Sequence, residues 1–261
     1  MPRSHPQPET ALVRKLSQCI DLDHEDLERL EEFQADFCAV SARTDLVCEN
    51  EPYKTAGVMI DGWGFRYKLL PDGRRQVISF MLPGGFFGLH ANVFEIADHS
   101  VSTLTRCRIA RFDPQLLTRT LAERPMLGAA IVWDNAREEA LLMEHLASLG
   151  RRDAYERFAH ILVELAKLVH VRGEPVADEG YTLPVPQIVF ADALGLSLVH
   201  VSRTLRKLKQ EGLIDGDSKS GVVLRDLKGL ISVCGYEETY LHQSPLPDRT
   251  RQRIASSKSL A

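Results

Sequence analysis

Between Ser197 and Gln210 the chain carries Arg203, Arg206, Lys207, Lys209 and a histidine at 200, and no acidic residue. Hydroxyls stand at Ser197 and Ser202, with Leu198 and Val199 close by. A guanidinium is a planar fork of donors that can grip two acceptors on one base edge, and cationic groups in general suit phosphate oxygens. Such chemistry needs a rigid platform. Val201, Leu205 and Leu208 recur at steps of four and three, so they bury one face of a helix and leave the basic residues on the other. Ahead of it, 187–194 reads as a short helix with Ile188, Ala191 and Leu194 on its apolar face. Gly195 permits a backbone turn that most residues resist, and Ser197 offers an N-cap oxygen to the second helix. This is the layout of a helix-turn-helix, whose second helix enters the DNA major groove. Leu213-Ile214, Gly216, Lys219-Ser220-Gly221 and Val222-Val223-Leu224 then read as two short strands around a turn, a wing that lies over phosphates.

The rest of the chain must position that platform. Its 261 residues suggest two domains with a core each. A formal charge of -4 argues against a generally basic coat, so the positive charge is local. Five cysteines, at 19, 38, 48, 107 and 234, form no CxxC pair and suit a reducing cytoplasm. No apolar run reaches membrane-spanning length, and residues 1–10, polar and Pro-rich, show no signal-peptide core and read as a mobile arm. Residues 11–37 are helical and strongly acidic, a solvated face or a contact surface for a basic partner. From 40 to 112 the texture is β-prone, with stretches at 58–60, 65–70, 76–81 and 101–109 separated by turns such as Pro71-Asp72-Gly73 and Pro83-Gly84-Gly85. This predicts a small antiparallel β-roll with room inside for a ligand.

After Pro125 a long helix runs through Leu149. Leu127, Ile131, Asp134, Glu138, Leu141 and His145 follow steps of four and three, a coiled-coil seam with apolar ends and a polar middle. Val132, Leu142, Leu146 and Leu149 lie beside it. A helix of this kind needs a partner surface, which implies a parallel homodimer. Gly150-Arg151-Arg152 is the expected hinge, with Asp153 capping an amphipathic helix over 155–170. Residues 171–185 read as a loop that includes a short strand, 226–233 as a short helix, and 236–261 as a disordered tail. The fold class is α+β: β-roll over 11–122, dimerisation helix over 123–150, winged helix-turn-helix over 151–235.

In this order the elements resemble the cyclic-AMP receptor protein/FNR family of bacterial transcription regulators. Three stretches carry the resemblance: Arg66-Tyr67-Lys68-Leu69-Leu70-Pro71-Asp72-Gly73-Arg74-Arg75-Gln76, Leu82-Pro83-Gly84-Gly85-Phe86-Phe87-Gly88, and the 187–208 motif. It implies a two-fold dimer on a near-palindromic duplex, half-sites about one helical turn apart, with RNA polymerase as a further partner. Leu198 and Val199 stand where many members have Arg-Glu, so the operator cannot simply be copied from the family. Arg203 keeps its place and is the expected base reader. Ser197, His200 and Ser202 are secondary readers, and Leu198 or Val199 would meet a thymine methyl. Arg206, Lys207, Ser218 and Lys219 are expected on phosphates.

The resemblance also places an effector pocket around Gly88, Leu89, His90, His99 and Ser100. Cyclic-nucleotide binders carry a Glu after Gly-Phe-x-Gly and an Arg-Ser pair. Here Leu89 and His99-Ser100 take those places, which removes both polar anchors. Cys19, Cys38 and Cys48 are too dispersed for an iron–sulfur cluster. Pro2, His90 and His99 leave haem open, another small molecule is open too, and no cofactor is assigned. A thiol switch is a further option, against which Cys107 in a predicted strand reads as inert. One alternative is a constitutive repressor with a non-sensing β-roll. Another is a cupin-like metal enzyme, suggested by Gly84, His90, Asn92 and Glu95, but with one His where two are usual and no second motif. No catalytic or metal-ligating set is assigned.

Overall fold

The computed structural model describes residues 10–171, 181–217 and 221–257. The arm expected over 1–10 lies outside these except for Thr10, whose hydroxyl accepts from the Val13 N–H and caps α1 (Ala11–Ser17). In α2 (His24–Glu32), Asp23 and Asp26 form a reciprocal capping box. Eight strands follow: β1 (Asp36–Val40), β2 (Asp45–Val47), β3 (Ala56–Asp61), β4 (Gly64–Leu69), β5 (Arg75–Met81), β6 (Phe86–Phe87), β7 (Ser100–Thr103) and β8 (Cys107–Phe112). They make two antiparallel four-stranded sheets, ordered β1-β8-β3-β6 and β2-β7-β4-β5, which is the expected β-roll. Met59, Met81, Phe87, Val101 and Ile109 share one of its buried clusters.

Helix α3 (Gln115–Glu123) leads to α4 (Pro125–Arg151), which starts on proline, where a missing N–H costs nothing. Three acidic residues of the N-terminal region, Asp23, Glu25 and Asp26, close around Arg124 just before α4. Asp153 and Glu156 then exchange side-chain-to-backbone bonds and start α5 (Ala154–Val171) as expected. After it come β9 (Thr182–Leu183), α6 (Gln187–Leu194), α7 (Leu198–Gln210), β10 (Ile214–Asp217), β11 (Gly221–Leu224) and α8 (Leu227–Cys234). The wing pair is joined by β9 in a sheet ordered β10-β11-β9. Phe65, Tyr67, Val77 and Phe80 belong to the same apolar cluster as Phe158, Leu162 and Phe190, so one core runs from the β-roll into the C-terminal part. Among the described residues no single helix is long and apolar enough to cross a membrane.

Two expectations need correction. The tail is not disordered over its described part: Thr239–Leu241 form a 3-10 turn and Asp248–Ser257 form α9. Tyr236 and Tyr240 pack around the His160 ring, Arg137 Nε donates to the Leu241 carbonyl at 2.6 Å, and the Leu246 amide donates to the Cys19 carbonyl at 3.0 Å. Anchors at 236, 241 and 246 outweigh the polar composition between them.

The second correction concerns α4. Leu127 and Ile131 are buried in the N-terminal cluster, and Leu141 is buried in the shared core. Asp134 pairs with Lys15 at 2.6 Å, Glu138 pairs with Arg66 at 2.9 Å, and His145 meets Glu164 and the Ile78 carbonyl. The expected dimer seam therefore faces its own protomer. The open row lies one residue on, about 100° round the helix: Val132, Asn135, Glu139, Leu142 and Leu146, with Met143 beside them. Val132, Met143 and Leu146 are 60%, 59% and 67% exposed. Both rows have the same spacing, and the chain's own core takes the one whose polar members find partners: Asp134 in α1, Glu138 in β4, and His145 in β5 and α5.

Candidate nucleic-acid interface and sensor cavity

Helix α6 ends at Gly195, whose φ of 62° lets its N–H reach the Ala191 carbonyl. A Cβ there would meet only Leu149 Cδ2, at 4.0 Å, so the backbone angle rather than lack of space calls for glycine. Ser197 Oγ accepts from the His200 N–H at 3.3 Å and caps α7. The two helices are bent by 107°, within the range of a helix-turn-helix. Val201, Leu205 and Leu208 are buried with Phe190, Ala191 and Leu194, fixing the inner face of α7. Ile188 is not part of that face; it is 47% exposed, and Val189 and Phe190 are buried in its place.

Leu198, Val199, His200, Ser202, Arg203, Arg206 and Lys207 are all exposed. The first five stand on the opening turns of α7, where a groove-bound helix meets base edges. Ser197 is exposed too, with its oxygen engaged by the cap. Arg206 lines a groove of about 210 Å³ between α7 and the wing, with Gln187, Ser202 and Lys209. Lys207 lies elsewhere, its ammonium 3.8 Å from the centroid of the Tyr155 ring. Ser218 and Lys219 lie outside the described residues. The sequence reading counted Lys209 among the basic residues but gave it no role; it donates to the Gly216 carbonyl and ties α7 to the wing. Its position three residues after Arg206, on the same flank, was the available signal.

A second concavity, of about 330 Å³, lies between the β-roll and α4. Gly88, Leu89, His90 and His99 line it as expected. Gly88 has a φ of +68°, and a Cβ there would sit 2.4 Å from the Thr55 carbonyl oxygen, so glycine is required twice over. Ser100 does not reach the cavity. It is buried, and its Oγ accepts from the Glu49 N–H at 2.9 Å. Arg66 and Lys68 of β4 add cations that the sequence reading passed over; their i, i+2 spacing puts both on one face of the strand. Arg66 donates to Ser79 Oγ at 3.1 Å, to Glu138 Oε2 at 2.9 Å and to the Phe86 carbonyl at 2.8 Å. Asn135, Glu138, Glu139 and Leu142 of α4 form the far wall. Burial holds the His99 imidazole below its ordinary value, against the opposing pull of Asp98.

The cupin-like set does not converge: Asn92 donates to the Pro114 carbonyl and Glu95 is exposed. Cys107 is buried as expected, and burial raises its thiol pKa. Burial pushes Cys19 up to about 11. Neither thiol is primed for exchange.

Two family models match the chain, the cyclic nucleotide-binding domain over residues 38–124 and the Crp-like helix-turn-helix domain over residues 156–233. The transcriptional activatory protein AadR of Rhodopseudomonas palustris is 36% identical over 210 residues, covering 77% of this chain and 82% of that protein. The nitrogen fixation regulation protein FixK of Bradyrhizobium diazoefficiens is 32% identical over 205 residues, covering 77% and 83%. Among solved structures, FixK2 from Bradyrhizobium japonicum superposes with a TM-score of 0.68 at 25% identity, covering 77% of this chain and 98% of that one.

Proposed function

This chain belongs to the Crp/Fnr family of DNA-binding transcription regulators, and from that premise we propose that it grips a near-palindromic operator as a homodimer, with Arg203 reading a guanine edge. The observation that carries this is the open, acid-free start of α7, set beside the wing on a fully buried inner face. His200 and Ser202 add hydrogen bonds, and Leu198 or Val199 covers a thymine methyl. Ser197 fixes the helix start. Arg206, Lys207 and the wing residues Ser218 and Lys219 take phosphates.

Dimerisation uses the open row of α4, Val132 to Leu146, in a parallel coiled coil. An exposed apolar row on a 27-residue helix supports that assignment. On this reading 11–122 senses, 123–150 dimerises and 151–235 binds DNA, in the cytoplasm and with RNA polymerase as a further partner. No residue is assigned a catalytic role. The signal, on the same reading, is not a cyclic nucleotide, because Leu89 and His99 replace the ribose acceptor and the phosphate guanidinium, and the cavity's Arg66 is engaged by Ser79, Glu138 and the Phe86 carbonyl. Haem and other small molecules stay open as effectors.

The test is selection of bound duplexes from a randomised pool by the full chain. Inverted half-sites one helical turn apart, bound by two protomers, are expected. Enrichment of single, unpaired half-sites would overturn the dimer, and no enrichment at all would overturn sequence reading.

A further inference from the structure

Three donor-bearing side chains that DNA binding does not use converge at the rim of the β-roll cavity. His90 stands on the 3-10 turn Leu89–Asn92, and Asp98 and His99 lead into β7. Their ligand atoms all lie within 4.8 Å of one another. Asp98 Oδ1 is 2.8 Å from His99 Nδ1 and 3.9 Å from His90 Nδ1. Donors held about 2.1 Å from one ion stand roughly 3–3.5 Å apart, so the two imidazole–carboxylate separations bracket that range, and the His90 and His99 donors lie within 4.8 Å of each other. We propose that His90, Asp98 and His99 bind one divalent first-row transition-metal ion.

The donor set decides the class of ion. Two imidazoles and a carboxylate suit zinc, iron(II), cobalt or nickel, whereas calcium and magnesium take oxygen alone. The site combines a fixed ligand with accessible ones: the His99 side chain is 16% exposed, His90 40% and Asp98 57%. The Tyr53 hydroxyl donates to Asp98 Oδ1 at 3.3 Å, an outer contact of the kind that orients a ligating carboxylate. Both cations of the cavity are ion-paired, Arg66 with Glu138 and Lys68 with Glu49 at 3.0 Å, which reduces, without cancelling, the opposition of Arg66 to positive charge at His99. The residues at 90, 98 and 99 form no familiar spacing, so only the fold brings them together. An ion here faces the same cavity as Glu138 and Glu139 of α4, and the site stands independently of the operator reading.

The experiment uses the full chain, stripped with a chelator and titrated with cobalt(II) for its visible absorption and with zinc(II) by calorimetry. One ion per protomer is expected, with a higher Tm when it is bound. His90→Ala and His99→Ala should each weaken binding by at least about a hundredfold, and Asp98→Asn should weaken it too. His24→Ala, at an exposed histidine beside Glu28 that could hold stray metal, should leave the affinity unchanged. Far-UV circular dichroism of the metal-free variants checks folding, and if His99→Ala fails it, the more exposed His90 carries the test. Absence of binding at micromolar metal, or stoichiometric binding that survives in the His90→Ala/His99→Ala double variant, overturns the proposal. Neither outcome bears on operator affinity, which is measured separately.

Discussion

Arg203 and Lys207 stand one turn apart on α7, but their surroundings differ. Arg203 is exposed on the opening half of the helix, while Lys207 spreads over the Tyr155 ring. Arg203→Ala should cost about 1–3 kcal/mol on the preferred duplex and relax one base position. Anisotropy across single-base operator variants measures this, and equal weakening on every sequence would remove the base-reading role. Lys207→Ala should weaken all duplexes alike and lower the slope of log K against log salt by about one; an unchanged slope would mean that the ammonium serves Tyr155 and Glu211 rather than a phosphate. The buried pair of Lys15 and Asp134 gives a third case. Lys15→Met leaves a carboxylate unpaired in the core and should destabilise by about 3–5 kcal/mol, with Lys15→Met/Asp134→Leu recovering most of it in urea melts. The exposed side of α7 could be read from Val201, Leu205 and Leu208 because a helix repeats locally. Lys15 and Asp134 are 119 residues apart, and no local pattern announces such a partner.

Helix α4 shows the same limit in a larger unit. Its length was readable from Pro125 and the periodic steps that follow, but two rows one residue apart carry those steps. Which row turns outward is decided by what α1 and β4 present to it, Lys15 for Asp134 and Arg66 for Glu138. Gly195 and the wing strands, by contrast, depend on backbone rules that act within a few residues, and they fall where expected. If the open row is the dimer contact, Leu142→Glu/Leu146→Glu should give monomers in sedimentation at concentrations where the unaltered chain is dimeric, with the protomer's own fold retained. Leu127→Ala should instead lower stability by about 2–5 kcal/mol through a core cavity without singling out association. The reverse pattern would return the seam to the inner row.

The DNA-binding part is held to the β-roll by Arg75 on Asp192 at 2.6 Å, by Gln76 on the Ala193 carbonyl at 3.1 Å, and by His145 between them and α5. Both His145 ring nitrogens face acceptors, the Ile78 carbonyl and Glu164, an arrangement that suits the doubly protonated ring. Tyr240 of the tail donates to the other Glu164 oxygen at 2.9 Å. One ion pair thus joins β5, α4, α5 and the tail. Burial opposes charge on His145, but the Glu164 carboxylate outweighs it, helped by the Ile78 carbonyl and Glu138, and the pKa is pushed up to about 9. Burial likewise opposes charge on Glu164, and His145 holds its pKa below the usual value. The signs follow by linkage. The folded chain binds the His145 proton more tightly than the unfolded chain, whose histidine titrates near 6.5, so this stabilisation is complete below that pH and is lost as pH rises toward about 9. The Glu164 contribution is present above its ordinary value of 4.5 and disappears as pH falls through its lowered one. The neighbouring His160, held down by burial, acts in the opposite direction to His145, favouring the folded state above its own lowered value. His145→Gln/Glu164→Gln removes both charges while keeping hydrogen-bonding groups. Between pH 6.5 and 9 the Tm of the unaltered chain should therefore fall relative to that of the double variant, and parallel Tm profiles would show that the pair carries no net charge linkage.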